Sequence, residues 1–243
     1  ELSLFGYELT GWEPAISPAS GSIQYTAQWT ATTYSPEALY AAIAPGVVEI
    51  VVSDSYHDEI SLGSGFFIDD EGTIATNYHV IEGGYSAKVT DSAGETYDVE
   101  EVLAYDQTID LALLKVDTAD NDYLLLVNEP VRTGETVYAI GSSLGLTNTF
   151  SSGIVSTASR EYDGVRYIQT TAPISHGNSG GPLVDIHGRV VGINTMTMTD
   201  GQNLNFALDI RELDDLDTSS PMSMEDFWDE TSSEYFASID QTG

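Results

Sequence analysis

The chain has 243 residues, of which 41% are hydrophobic, so it is long enough and apolar enough to bury a substantial core. Thirty-nine acidic residues against seven basic ones give a formal charge of −32, which argues against nucleic-acid binding because that binding depends on cationic side chains. The sequence contains no cysteine, which excludes disulfides, thiolate metal sites and cysteine nucleophiles, and no apolar run long enough to span a membrane.

The first 34 residues are rich in serine, threonine, glycine and aromatic residues. Residues 22–33 partly alternate between polar and apolar side chains, which predicts a strand, whereas Pro14 and Pro18 interrupt the stretch before it. Two interpretations fit this composition. The segment is either an arm that places aromatic side chains on the main body or on a neighbouring subunit, or an extension ordered by local packing alone.

Ser35 followed by Pro36 has the pattern of an N-cap with proline at the first helical position, and it predicts a short helix over 38–44. The following sequence consists of short β-type runs separated by turn signals. The first series of predicted strands comprises 47–53, 65–68, 73–76, 87–91, 97–103 and 111–116. After a polar joint, the second comprises 136–140, 153–159, 167–171, 182–186, 190–194 and 203–208. This spacing favours a β-sandwich or a pair of barrels over a parallel α/β sheet.

Residues 214–243 combine many carboxylates with four interspersed aromatic side chains. Acidic runs are usually solvated, so we expect this tail to dock a short helix at most. The spacing of the carboxylates does not match an EF-hand loop, and we predict neither a metal ion nor a cofactor.

A glycine-rich run over residues 174–183, Ile-Ser-His-Gly-Asn-Ser-Gly-Gly-Pro-Leu, carries the strongest chemical signal. Glycines beside Ser179 permit a tight loop that aims successive N–H groups at one point near the hydroxyl, as a tetrahedral oxyanion requires. A serine hydroxyl is a poor nucleophile unaided, so this hypothesis needs a base and a group that orients the base. The alternative is a surface turn with an incidental serine.

His79 and Asp110 are the candidates for these two roles. His79 ends a predicted strand in the uncharged run Thr-Asn-Tyr-His-Val-Ile, and Asp110 directly precedes the apolar run Leu-Ala-Leu-Leu. A carboxylate in such a place is costly to bury unless it is hydrogen-bonded. Taken separately, a structural histidine and a strand-end aspartate are the simpler interpretations. Together with Ser179 they satisfy the needs of nucleophilic catalysis, with Asp110 orienting His79 and His79 accepting the proton of Ser179.

At this point the sequence resembles the chymotrypsin-fold serine proteases, and specifically their HtrA/Deg-type bacterial branch. The resemblance runs from about residue 36 to residue 210. The matching segments are 63–68, 76–81, 110–116, 139–141, 152–156, 168–170, 177–184, 191–195 and 205–207. It implies an all-β fold of two six-stranded antiparallel β-barrels with the active site in the cleft between them. We therefore expect an N-terminal extension over 1–34, a first barrel over 35–122, a second over 123–212, and an acidic tail over 213–243.

The resemblance also assigns roles, and it implies a serine endopeptidase that forms an acyl-enzyme with polypeptide substrates. His79 would be the general base, Asp110 its orienting acid and Ser179 the nucleophile. The backbone N–H groups of Gly177 and Ser179 would form the oxyanion hole. Main-chain groups of Ile193, Asn194 and Thr195 would pair with the substrate as an added strand.

Two departures from the family pattern limit the comparison. Asn178 replaces the aspartate that digestive relatives use to capture a newly formed N-terminus, so activation by that salt bridge is not expected. The peptide-binding PDZ domain of the HtrA branch is missing from this sequence, which puts peptide-activated behaviour in doubt.

The specificity of cleavage remains open at the level of sequence. By analogy, Pro173, Ile174 and the region of Thr195 would line the primary pocket, which predicts cleavage after small or aliphatic residues. His176 suggests a glutamyl endopeptidase instead, unless it is a solvent-facing loop residue. A third alternative is a chaperone-like or binding protein that keeps the triad in a resting state.

The expected setting follows from the start of the sequence and from the resemblance. The chain begins at Glu1 and shows no signal-peptide pattern, which we interpret as a mature form from which an export signal or anchor has been removed. We therefore expect an extracytoplasmic bacterial protein, secreted or on the cell surface. A homo-oligomer is compatible with the sequence but is not indicated by it.

Overall fold

Two closed, six-stranded antiparallel β-barrels form the body of the protein in a computed structural model, which describes residues 7–13, 25–143, 146–175, 177–197 and 205–240. The expected all-β, two-barrel fold is thereby confirmed. No helix among these residues is long and apolar enough to cross a membrane.

The first barrel has the strand order β3-β4-β5-β8-β7-β6. Its strands are β3 (Val47–Ser53), β4 (Glu59–Phe67), β5 (Thr73–Thr76), β6 (Ser86–Thr90), β7 (Thr96–Asp106) and β8 (Leu111–Val116). A one-turn helix, α2 (Tyr78–Ile81), follows β5 after one residue, Asn77. Three of these strands, β3, β5 and β8, have the bounds predicted from the sequence.

The second barrel has the strand order β10-β11-β14-β13-β12-β9. Its strands are β9 (Thr136–Ser143), β10 (Leu146–Tyr162), β11 (Val165–Thr170), β12 (Pro182–Asp185), β13 (Val190–Thr197) and β14 (Asn205–Asp209). A 3-10 helix (Ile210–Asp215) follows, and the side chain of Asp209 caps it by accepting from the Arg211 N–H.

Three hydrophobic clusters hold the barrels together, one inside each barrel and one between them. β8 shows how a strand serves two clusters at once. Leu113 packs in the cluster between the barrels and Leu114 packs inside the first barrel, because successive side chains of a strand point to opposite faces. Both faces of β8 are therefore buried, which explains its continuous apolar run. Asp110 immediately precedes this rigid strand.

The segment before the barrels contains a two-stranded sheet of β1 (Tyr7–Glu13) and β2 (Thr26–Ala31), and then α1 (Pro36–Ile43) with the predicted Ser35 cap. A 3-10 turn (Ala44–Gly46) leads into β3. The end of the segment docks on the second barrel. The Tyr34 N–H donates to Ile186 O at 3.2 Å, and the Tyr34 ring packs partly buried against the cluster between the barrels.

The C-terminal segment differs from the sequence-based expectation. Helix α3 (Met224–Asp240) has 17 residues, so the prediction of a short helix at most was wrong. The reason lies in its first turns, where Met224 and Phe227 are buried inside the first barrel at 4% and 0% exposure. Met222 also pairs with Val102 of β7 through two main-chain hydrogen bonds of 2.8 and 3.0 Å.

Candidate active site

His79 and Asp110 form a direct pair at the edge of the first barrel. The Nδ1 atom of His79 lies 2.8 Å from Oδ2 and 3.0 Å from Oδ1 of Asp110. An ionised carboxylate only accepts hydrogen bonds, so Nδ1 carries the proton of the neutral imidazole and Nε2 is left as an acceptor. The His79 side chain is 43% exposed and that of Asp110 is 22% exposed. The imidazole is therefore accessible from solvent while its partner is more sheltered.

The backbone around Asp110 aims the carboxylate at α2. Asp110 has φ 59°, in the left-handed region that non-glycine residues seldom occupy. Its Oδ1 also accepts the main-chain N–H of His79 at 2.9 Å. The carboxylate thus holds both the ring of His79 and the first turn of the helix that carries it.

Ser179 lies in a buried loop of the second barrel that is fixed from both sides. The first barrel holds it through Ser64, whose N–H donates to Ser179 O at 2.9 Å and whose Oγ donates to Gly177 O at 2.7 Å. The second barrel holds it through the Gly180 N–H, which donates to Asn194 O at 2.8 Å. The Ser179 hydroxyl donates to Thr195 O at 3.3 Å.

Two N–H groups in this loop have no partner within the part of the chain that the structure describes. Among the described residues, nothing accepts a hydrogen bond from the backbone N–H of Gly177 or of Ser179, although both residues are buried. Buried backbone donors are almost always paired in folded proteins, because leaving one unpaired costs free energy. This pair of unpaired donors flanks the nucleophile candidate, as an anion-stabilising site requires.

Asn178 forms hydrogen bonds within the loop that leads to Ser179. Its Oδ1 accepts the Ser175 N–H at 2.8 Å, its Nδ2 lies 3.4 Å from Pro173 O, and its own N–H donates to Ser175 O at 3.0 Å. The side chain therefore ties the approach to Ser179 into a turn.

The remaining predicted site residues lie on both sides of this loop. Ile174 is 8% exposed, and its N–H lies 3.4 Å from Oδ1 of Asn205. Ile193 is fully buried in the cluster between the barrels. Both main-chain groups of Asn194 are used inside the protein, by Gly180 and Gly181. His176 lies outside the described residues.

Thr195 lies on β13 beyond the end of the neighbouring strand β12. β12 begins at Pro182, which pairs with Ile193, so no residue of β12 lies opposite Thr195. The register of β13 with β14 also shifts between Asn194 and Met196. Of the three residues expected to pair with a substrate strand, Thr195 is therefore the one located at the end of the shared ladder.

Two residues that connect the barrels were not predicted. Ser64 and Asn77 are both fully buried, and both donate side-chain hydrogen bonds across the cleft, to Gly177 O and to Thr195 Oγ1 respectively. Both lie within segments of the family resemblance, 63–68 and 76–81, as polar residues beside apolar ones, and the resemblance assigned a role to neither. That signal indicates an internal partner but does not identify it.

Glu82 is a second acidic group whose charge interacts with this pair. It follows α2 directly, three positions after His79, and it is half-buried. Burial raises the pKa of Glu82 above its ordinary value of 4.5, and the negative charge of Asp110 acts in the same direction, whereas His79 opposes it. Among the described residues, no group of three or more His, Asp or Glu side chains is arranged to hold a metal ion.

Comparison with known proteins identifies the family to which this chain belongs. A family profile described as trypsin-like peptidase domain matches residues 63–193. The chain is 43% identical over 180 residues to the serine protease HTRA1 of Xenopus laevis, covering 68% of this chain and 39% of that protein. It is 40% identical over 162 residues to the putative serine protease HhoB of Synechocystis, covering 63% of this chain and 38% of that protein. The chain thus spans about two fifths of the length of these relatives.

A solved structure supports the same conclusion. The crystal structure of the serine endoprotease from Yersinia pestis superposes with a TM-score of 0.67 at 30% sequence identity, covering 76% of this chain and 65% of that one. The resemblance to HtrA-type proteases noted in the sequence is therefore confirmed by relatives from animals and bacteria. The family profile covers more than half of the residues, and the chain belongs to the trypsin-like peptidase family.

Proposed function

We propose that this protein is a serine endopeptidase that hydrolyses peptide bonds through an acyl-enzyme on Ser179. The observation that carries the proposal is the pairing of His79 with Asp110 beside a buried serine loop in which two N–H groups have no partner among the described residues. This arrangement provides an accepting imidazole nitrogen, a hydroxyl and two oxyanion donors.

The reaction follows from these groups. The hydroxyl of Ser179 leaves Thr195 O and attacks the substrate carbonyl carbon while its proton passes to Nε2 of His79. The carbonyl π electrons move to oxygen, and the N–H groups of Gly177 and Ser179 stabilise the resulting oxyanion. Collapse breaks the C–N bond, and His79 gives its proton to the leaving amine. Water then attacks the ester by the same route and regenerates Ser179. Asp110 stabilises the imidazolium at each stage.

The substrate would be an extended polypeptide lying along β13. We infer that its backbone pairs with the protein from Thr195 onward, where β12 no longer covers the strand. The side chain before the scissile bond would enter a pocket beside Ile174, which is apolar and neighbours the amide of Asn205. Such a lining favours small or aliphatic residues over charged ones. Cleavage after glutamate, through His176, is the competing specificity.

One observation favours a second candidate, a chaperone-like or binding protein with a resting triad. Among the described residues, the ring nitrogens of His79 bond only to Asp110, and the Ser179 hydroxyl bonds to Thr195 O rather than to the imidazole. In the peptidase, the hydrogen bond between Ser179 and His79 would form when substrate binds, as catalytic hydrogen bonds often do.

The cellular setting and the organisation of the chain belong to the same proposal. We place the protein outside the cytoplasm of a bacterium. We divide it into an extension over 1–34, barrels over 35–122 and 123–212, and an acidic C-terminal segment over 213–243.

A fluorophosphonate probe tests the function directly. We expect it to label Ser179, and we expect Ser179→Ala to abolish labelling and to lower peptide cleavage by about 10⁴-fold or more. Ser175→Ala, which removes an exposed hydroxyl four residues away, is the matched control and should retain both signals. Labelling without cleavage of any member of a peptide library would favour the binding protein. Undiminished cleavage by Ser179→Ala would refute the mechanism. The library also separates small or aliphatic specificity from glutamyl specificity.

A further inference from the structure

Asn77 occupies the junction between β5 and α2, two residues before His79, and its side chain is fully buried. Its Nδ2 group donates twice, to Asp110 O at 2.9 Å and to Thr195 Oγ1 at 3.0 Å. Because a main-chain carbonyl can only accept, the amide nitrogen must face Asp110, which fixes the orientation of the side chain. One amide thus bridges the turn that carries Asp110 and a strand of the second barrel.

The position of Asn77 is that of a helix N-cap, yet it does not cap the helix. Asparagine at this position usually accepts an N–H of the first turn through its side-chain oxygen, whereas Asn77 makes no side-chain cap bond. Oδ1 of Asp110 accepts the His79 N–H instead. Asp110 therefore caps α2, and Asn77 holds the main chain of Asp110.

Because Asn77 does not cap the helix, one polar atom of its side chain is left without a hydrogen bond among the described residues. Its Oδ1 is buried and has no hydrogen-bond donor among the described residues. An unpaired buried acceptor destabilises a fold because it gives up its hydrogen bonds to water without replacement. Folding alone therefore gives a weak reason for asparagine here, and the two bonds from Nδ2 give a stronger one.

On the first barrel, the bond from Nδ2 steadies an unusual backbone. Asp110 has φ 59°, and a non-glycine residue in the left-handed region persists only when its surroundings hold it there. The 2.9 Å bond to its carbonyl and the bonds from His79 to its carboxylate are the contacts that hold it. Loss of the first allows the turn to relax and the carboxylate to leave the imidazole.

On the second barrel, the same amide reaches the strand that carries the acceptor of the Ser179 hydroxyl. Oγ1 of Thr195 accepts from Asn77 and donates to Ile193 O at 3.0 Å, and Thr195 O accepts from Ser179 at 3.3 Å. The distance between the His79–Asp110 pair and the nucleophile loop is thus set partly through Asn77.

We propose that Asn77 is a positioning residue of the active site, which acts by holding the Asp110 turn and the Thr195 segment in a fixed relation. Among the described residues, no hydrogen bond joins Asn77 to the hydroxyl of Ser179 or to the imidazole. This inference builds on the proposed peptidase function. A displacement of about 1 Å between reacting groups can lower a rate by about 100-fold, so the effect belongs in kcat rather than in KM.

Asn121 provides a matched control. Its Nδ2 also donates to a main-chain carbonyl, Asp69 O at 2.8 Å, and its Oδ1 is also buried with no donor among the described residues, but neither of its Nδ2 hydrogen bonds involves the candidate site. Three variants are compared with the wild type: Asn77→Ala, Asn77→Leu, which keeps the number and branching of the side-chain heavy atoms, and Asn121→Ala. Each is measured for kcat, KM, Tm and the low-field proton resonance of the His79 Nδ1–H in one-dimensional NMR.

We expect both Asn77 variants to lose about 10- to 100-fold in kcat with KM within about twofold of wild type. They should also lose or shift the His79 resonance, with a change in Tm no larger than that of Asn121→Ala. Wild-type kcat or an unchanged resonance in Asn77→Leu would overturn the inference, as would parallel losses in Asn121→Ala. If the wild type neither reacts with a fluorophosphonate nor cleaves peptides, the peptidase function fails. The resonance then still decides whether Asn77 positions the pair.

Discussion

The hydroxyl of Ser64, in the first barrel, donates a 2.7 Å hydrogen bond to the carbonyl of Gly177, in the nucleophile loop of the second. Gly177 is also the residue whose N–H we assign to the oxyanion hole, so this bond fixes the peptide next to a catalytic donor. Removing an oxyanion donor itself costs about 10²- to 10³-fold in kcat. We expect Ser64→Ala, which removes only its support, to lose about tenfold in kcat with little change in KM.

The measurement needs a control for the loss of a buried hydroxyl. Thr231→Val serves, because the hydroxyl of Thr231 donates to Phe227 O at 2.8 Å within α3, in a buried setting. Both variants should lose a similar amount of stability, about 1–3 kcal/mol. Only Ser64→Ala should also lose kcat at a temperature where both variants are folded. Equal activities in the two variants would remove Ser64 from the site.

Gly180 is the position in the nucleophile loop least tolerant of a side chain. Its φ is +83°, and a Cβ there would lie 2.2 Å from Ser64 O and 2.4 Å from Thr76 Oγ1. Both contacts are far inside normal packing distance, and one is with backbone. We expect Gly180→Ala to displace Ser179 and to abolish fluorophosphonate labelling. Gly94→Ala is the control, since it has a similar φ of +88° but open space around it. A labelled Gly180→Ala enzyme would contradict this geometry.

The strands beside the site were predictable because local signals coincide there. The runs that became β5 and β8 are short, apolar and bounded by turn residues, and both have the predicted bounds. β10 was underestimated, at 153–159 against Leu146–Tyr162, because its serine- and threonine-rich ends show no clear alternation. Helix α3 was underestimated because its acidic composition hides the buried face that Met224 and Phe227 form.

For the site, a motif identified the three side chains but could not identify their supports. His79, Asp110 and Ser179 stand in distinctive local sequences. Asn77 and Ser64 act through bonds to residues 118 and 113 positions away in the chain. Both residues lie in segments that resemble the family, but these contacts exist only once the two barrels are docked, so the local pattern does not identify their partners.

The charge state of Glu82 predicts a pH-dependent effect on stability. Burial raises its pKa in the folded state above 4.5, so the fold favours the protonated form. Stability from this group is therefore complete below the unfolded pKa and is lost as pH rises through the folded pKa. We expect Glu82→Gln to have a higher Tm than wild type at pH 7 and the same Tm near pH 4. For Glu101→Gln, at an exposed position on β7, the difference in Tm from wild type should not change with pH. A difference in Tm between Glu82→Gln and wild type that does not depend on pH would contradict the assignment.

Phe227 attaches α3 to the back of the helix that carries His79. It is fully buried, with ring centroids 5.0 Å from Tyr105 and 6.1 Å from Tyr78. We expect Phe227→Ala to lower the free energy of unfolding by about 3–5 kcal/mol, as large core truncations do. Tyr162→Ala, at a residue 66% exposed, should cost less than about 0.5 kcal/mol. Denaturant titration measures both. A similar small effect in the two variants would show that α3 adds little to the barrel.

The large negative charge predicts stabilisation by salt. Five of the seven cationic side chains form ion pairs with carboxylates of the same chain, and the 39 acidic residues far outnumber the cations that could pair with them. Like charges at this density destabilise the compact state, and salt screens them, with a Debye length of about 10 Å at about 0.1 M. We expect Tm to rise steadily as NaCl increases from about 0.05 M to about 0.5 M, with most of the gain at the low end because screening grows with the square root of ionic strength.

Exclusion of solute from the surface would also raise Tm, so the control is sucrose at matched osmolality, which does not screen charge. A variant that replaces Asp214, Asp215 and Asp217 with asparagine should show a smaller rise with NaCl, because part of the repulsion has been removed. If sucrose and NaCl raise Tm equally, or if the variant keeps the full salt response, then repulsion among the surface carboxylates is not what limits the stability of this fold.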